Sequence, residues 1–87
     1  MRRKRDFFII GTNNCPACGR ALSEALAARK EDKHVKFRFV NVSNHPKGPF
    51  AELVKEKKAV PIYLFPDGDV HIGVISKSIL LEKNRDY

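Results

Sequence analysis

The chain has 87 residues, enough for one small hydrophobic core and too few to add a second substrate domain. A hydrophobic fraction of 43% beside 31% charged residues excludes a disordered chain, and no apolar run approaches the length that crosses a bilayer. Seventeen Lys and Arg against ten Asp and Glu give +7, a balance that favours acidic partners in general.

Arg2, Arg3, Lys4 and Arg5 form a basic tail over 1–5, ahead of a single domain expected over 6–87. The tail carries no interleaved aromatic platform and no nucleic-acid motif, so it reads as a solvated terminus and no specific nucleic acid is expected. The start MRRKRDFFIIG imitates a secretory signal. Asp6 interrupts it, however, its apolar part is too short, and no small-residue cleavage site follows. The expected location is the cytoplasm, where a permanent structural disulfide is disfavoured.

Asp6-Phe7-Phe8-Ile9-Ile10, ending at Gly11, predicts a buried strand. After the polar loop Thr12-Asn13-Asn14, the composition from Pro16 to Lys30 turns to strong helix formers. Ala21, Leu22, Ala25 and Leu26 supply an apolar face at three- and four-residue spacings. Pro16 falls in the first turn, where proline is well tolerated. Val35, Phe37 and Phe39 alternate with Lys36 and Arg38, the period of a strand running to about Val42. Strand, helix and strand in this order imply parallel pairing through a right-handed crossover.

Ser43 to Pro49 reads as a loop, and Phe50, Leu53 and Val54 mark a short second helix whose other side carries Glu52, Lys55, Glu56 and Lys57. Pro61 to Phe65 predicts a strand, Pro66-Asp67-Gly68-Asp69 a tight turn, and Val70-His71-Ile72 the returning strand of a hairpin. Ser76 is suited to cap a final helix from Lys77 to about Lys83, with Ile79 and Leu80 facing inward. The predicted class is α/β, in the order β-α-β-α-β-β-α.

The chain's two cysteines, Cys15 and Cys18, lie in the stretch NNCPACGRAL. Placed at a strand-to-helix junction, Cys15 meets unpaired helix N–H groups and the positive end of the dipole, which stabilise a thiolate over a thiol. Cys18, one turn on, comes within bonding reach and is expected to be more buried, as suits a resolving thiol. Two other readings stay open. Zinc needs four ligands, a second cysteine pair is missing, and His34, His45 and His71 show no ligand spacing, so two histidines would have to converge in space. Two ordinary buried cysteines are the other alternative, but that leaves Pro16 between them at a helix start unexplained.

Val60-Pro61 opens a strand directly after a helix, where proline cannot donate a ladder hydrogen bond. A cis bond there would leave the Val60 backbone free to pair with an extended substrate beside the sulfurs.

Together these residues resemble the glutaredoxins of the thioredoxin-fold superfamily. Cys15-Pro16-Ala17-Cys18 looks like the family's C-P-x-C, and Arg20-Ala21 like the basic residue and alanine that follow. Ala59-Val60-Pro61 resembles the T-V-P that carries a cis-proline, and FPDGDVHIG, Phe65 to Gly73, the hairpin with its glycine-containing end. A thioredoxin proper would have W-C-G-P-C, and this chain has no Trp. The resemblance implies a four-stranded mixed sheet with three helices and a glutathione-linked reductase. Cys15 would attack the substrate disulfide or accept glutathione, and Cys18 would resolve a protein mixed disulfide. Pro16 and Arg20 would support the motif. Val60, Pro61 and Gly73 would border the glutathione, and Ser76 with Lys77 would hold its γ-glutamyl carboxylate at the last helix's N-terminus.

The chain departs from the family at Val74, where a second glycine is usual, at Lys77, where an acidic residue is often found, at Thr12 in place of a basic residue, and at Ala17 in place of an aromatic one. The expected activity is reduction of protein disulfides or glutathione mixed disulfides. Glutathione would be the co-substrate, ribonucleotide reductase is one candidate acceptor, no cofactor or metal is bound, and the chain is a monomer. Two alternatives remain: a thioredoxin-like donor recharged by a flavoprotein reductase, and a non-catalytic metal, cluster or adaptor module.

Overall fold

Phe7-Phe8-Ile9-Ile10 is apolar without interruption because the strand it forms is covered on both faces. In the computed structural model, which describes residues 6–44 and 46–85, that strand is β1 (Phe7–Gly11). It is followed by α1 (Pro16–Glu31), β2 (Phe37–Asn41), α2 (Pro49–Lys57), β3 (Ile62–Leu64), β4 (Val70–Ile72) and α3 (Lys77–Arg85). The basic tail 1–5 and His45 lie outside the described residues.

The elements follow the expected order, and the four strands form one mixed sheet, β2-β1-β3-β4. β1 and β2 are parallel, β3 runs antiparallel to β1, and β4 antiparallel to β3. This topology brings four chain ends to one edge of the sheet: the C-terminal ends of β1, β2 and β4, and the start of β3.

Side chains alternate across the sheet and divide the core in two. Phe7, Ile9 and Tyr63 pack on one face with Ala21, Ala25 and Ala28 of α1 and Leu80 of α3. Ile10 and Ile62 pack on the other with Ala51 of α2, joined by the partly buried Phe8, Phe50, Leu53 and Val54.

Two expectations about inward faces and one about a strand boundary need correction. The buried stripe of α1 is Cys18, Ala21, Ala25 and Ala28, while Leu26 is 40% exposed. At about 100° per residue Leu26 lies roughly 120° from the centre of that stripe, and the small alanines let the helix approach the sheet closely. On α3, Leu80 is buried and Ile79 is 48% exposed. The inward stripe there runs through Leu80, Leu81 and Asn84, whose Nδ2 lies 3.4 Å from Asp32 Oδ2 at the end of α1. Finally, β2 begins at Phe37, because Val35, although fully buried, closes a turn in which its N–H donates to Asp32 O.

Candidate active site

The loop that leaves β1 is short and braced. Asn13 N–H donates to Ser43 Oγ at 3.1 Å, and Asn41 Nδ2 donates to Asn13 Oδ1 at 2.7 Å. These bonds tie the loop to the C-terminal end of β2, where Val42 N–H also reaches Gly11 O. Asn14 takes the left-handed conformation, φ 56°, and delivers Cys15 as the N-cap of α1.

Cys15 Sγ accepts a hydrogen bond from Cys18 N–H at 3.1 Å, the geometry of a capping side chain. Pro16 holds the first helical position, as expected, and the first turn contains no acidic residue to oppose negative charge on the sulfur. The Cα atoms of Cys15 and Cys18 stand 5.2 Å apart, and the sulfurs are disulfide-bonded. Cys15 is half-buried, whereas Cys18 is 2% exposed. Sequence spacing had suggested this asymmetry.

Behind Cys18 lies a residue that the sequence had marked only as a strand end. A Cβ on Gly11 would fall 2.9 Å from Cys18 Sγ and 3.0 Å from Phe39 Cζ. The strand therefore ends in glycine because the inner sulfur occupies the space of a side chain.

β3 starts beside the end of β1, since Ile10 pairs with Ile62, so Val60-Pro61 lies at the same edge as the cysteine loop. The bond between them is cis, as the sequence reading required for an open Val60 backbone. Among the described residues neither the N–H nor the C=O of Val60 is hydrogen-bonded. Pro61 is buried, and its C=O accepts from Gly73 N–H at 2.9 Å. Gly73, with φ 102°, turns the chain out of β4.

The segment that follows is fastened at alternate residues. After Gly73, Ile75 N–H donates to Tyr63 Oη at 3.2 Å, and Lys77 N–H donates to Glu24 Oε1 at 2.7 Å. Burial is the main cause that pushes the Tyr63 phenol above its usual range. Ser76 and Val74 line a groove of about 390 Å³ with Arg20, Ser23 and Glu24 of α1. The structure therefore brings Cys15, Cys18, Val60, Pro61 and Gly73 to one edge of the sheet, and Arg20 and Ser76 to one groove.

Ser76 departs from its expected capping role, and Lys77 is engaged within the chain. The C=O of Ser76 accepts from Leu80 N–H, but its hydroxyl lies 3.3 Å from Ser78 Oγ, and the side chain that takes the first-turn N–H is Glu24. The Lys77 ammonium pairs with Glu31, whose hydrogen bond is the main cause that raises the Lys77 pKa. Nothing local in the sequence signals these contacts, because Glu24 and Lys77 are 53 residues apart. Among the described residues no three His, Cys, Asp or Glu side chains gather as a metal site. His34 and His71 are exposed, and the His71 ring packs edge-on to Tyr63.

Neither a family model nor a curated protein sequence matches the chain. Solved structures do resemble it. An uncharacterized thioredoxin-like protein from Clostridium perfringens superposes with a TM-score of 0.71 at 18% identity, over 94% of this chain and 69% of that one. A thioredoxin from Aeropyrum pernix gives 0.62 at 21%, over 94% and 73%. The C-terminal domain of Neisseria meningitidis DsbD, in its reduced form, gives 0.60 at 16%, over 95% and 80%. The fold is thioredoxin-like. Within this thioredoxin-like fold the pair Cys15 and Cys18 stands at the start of the helix that follows the first strand, at the same end of the sheet as the cis-proline Pro61. No helix among the described residues is long and apolar enough to cross a membrane.

Proposed function

We propose that the chain is a thiol-disulfide oxidoreductase that reduces protein disulfides through Cys15 and Cys18. The observation that carries this reading is the inequality of the two sulfurs: Cys15 is accessible at a helix N-terminus, and Cys18 is buried one turn behind it. In the reduced protein the helix start favours the Cys15 thiolate, the nucleophile of disulfide exchange. That thiolate attacks one sulfur of a substrate disulfide, and the other substrate sulfur leaves as a thiolate that takes up a proton. The Cys18 thiolate then attacks Cys15 Sγ, closing the Cys15–Cys18 bond and releasing the second substrate thiolate. Two electrons pass from the dithiol to the substrate. The free N–H and C=O of Val60 support docking of an extended substrate segment beside the sulfurs.

The resemblance to glutaredoxins extends this reading to glutathione as reductant and, in the cytoplasm, to glutathione mixed disulfides or an oxidised ribonucleotide reductase as acceptors. One observation favours a second reading, a donor recharged by a flavoprotein reductase. The Lys77 amide and ammonium, groups suited to hold a glutathione carboxylate, are already engaged by Glu24 and Glu31.

Reduction of a glutathione mixed disulfide, coupled to glutathione reductase and NADPH, tests both readings when run beside insulin reduction by dithiothreitol-charged protein. Glutathione activity lost in Cys15→Ser and kept in Cys18→Ser supports the first. Insulin reduction alone supports the second, and failure of the wild type in both assays removes the oxidoreductase reading.

A further inference from the structure

The first-turn N–H groups of a helix lack internal partners and attract anions. At the start of α3 this position adjoins the groove lined by Arg20, Ser23, Glu24, Val74 and Ser76, one turn along α1 from Cys18. The chain occupies the first of these groups from within. Glu24 reaches across from α1 to accept the Lys77 N–H at 2.7 Å, and Glu31, two turns further along the same face of α1, takes the Lys77 ammonium. Both donor groups of Lys77 therefore belong to carboxylates of the helix that carries the cysteines.

We infer that Glu24 is a specificity-determining residue that closes the start of α3 to an anionic thiol co-substrate, so that the oxidised pair is recharged poorly by glutathione and better by reductants that bring no carboxylate to this groove. The inference rests on the oxidoreductase reading above. An incoming carboxylate would have to displace Glu24 from a charge-assisted hydrogen bond, leaving that carboxylate half-buried without its partner, or else sit next to it against like charge. The exposed Arg20 also borders the groove, but its charge is open to solvent and screened by salt.

The affected step is recharging. A glutathione thiolate attacks Cys15 Sγ, breaking the Cys15–Cys18 bond, and Cys18 leaves as a thiolate that is protonated. A second glutathione thiolate attacks the glutathione sulfur of the mixed disulfide, forming oxidised glutathione and releasing the Cys15 thiolate. Two glutathiones are oxidised and one protein disulfide is reduced. Closure by Glu24 acts on the binding that precedes the first attack, so it is read in KM for glutathione.

The test uses the full oxidised chain as wild type, Glu24→Gln and Glu24→Ala. Recharging by glutathione is followed by NADPH oxidation through glutathione reductase, and intrinsic exchange by insulin reduction with dithiothreitol. Glu24→Gln keeps an oxygen for the Lys77 N–H and removes only the charge, so it reports even if Glu24→Ala loosens α3. The expected result is a KM for glutathione lowered roughly tenfold in Glu24→Gln, the lower end of what a charge-assisted hydrogen bond is worth, with insulin reduction unchanged. Insulin reduction by all three proteins with the same glutathione KM in wild type and Glu24→Gln, or a higher one in the variant, overturns the inference alone. A wild type that reduces no insulin overturns the reading beneath it.

Discussion

With 2% of its surface exposed, Cys18 cannot meet a protein disulfide directly, so exchange has to begin at Cys15. Cys15→Ser is expected to reduce exchange to the rate of buffer alone. Cys18→Ser should instead accumulate a mixed disulfide between Cys15 and its substrate, visible by mass spectrometry of the non-reduced mixture. Equal retention of activity in both variants would contradict the order of attack. Gly11→Ala addresses the packing behind the pair: its Cβ would meet Cys18 Sγ at 2.9 Å, closer than side-chain carbons approach sulfur, and overpacking of this kind costs about 1–3 kcal/mol. A urea midpoint for oxidised Gly11→Ala equal to that of the wild type would refute the contact. The cysteines were legible in the sequence because spacing and a neighbouring proline carry their chemistry locally. Gly11 was legible only as a strand end, and Glu24 not at all, since its partner Lys77 is brought near by the fold.

Among the elements, strands were read more securely than helix faces. The uninterrupted run of β1 marks a strand covered on both faces, the alternation of β2 has one arrangement that buries its large side chains, and the parallel pair they form was predicted from order alone. Helices offer several adjacent stripes of similar polarity. On α3 the choice between Ile79 and Leu80 is settled by how the helix lies against Tyr63 and Ile75, which no local pattern encodes. The difference has a measurable consequence. Leu80→Ala removes a side chain that is 2% exposed and is expected to cost about 2–5 kcal/mol, while Ile79→Ala, at a 48% exposed position, should stay within about 0.5 kcal/mol of the wild type. Comparable losses in urea denaturation would mean that α3 is rotated from the orientation described.

At the scale of the whole molecule, two groups joining the β4–α3 segment to the rest of the fold make stability depend on alkaline pH. Tyr63 accepts the Ile75 N–H from beneath the segment, and burial raises its phenol above 10.0. Lys77 is paired with Glu31 at the start of α3, and that hydrogen bond raises its ammonium above 10.5. Both groups hold their protons more tightly folded than unfolded. Above about pH 10 the unfolded chain therefore releases protons that the native chain keeps, and stability falls as pH rises through the folded pKa values. Below that window both contributions are fully present. Tyr63 should dominate, because the Lys77 side chain is 42% exposed and its ion pair is screened by solvent. Urea midpoints of the oxidised chain, measured from neutral pH to about pH 11, should be flat at first and then decline. Tyr63→Phe lowers stability at neutral pH, since the Ile75 N–H loses its acceptor at about 1–3 kcal/mol, and it should also make the alkaline decline shallower. The same slope in Tyr63→Phe and wild type would place the titration elsewhere and remove Tyr63 from the account.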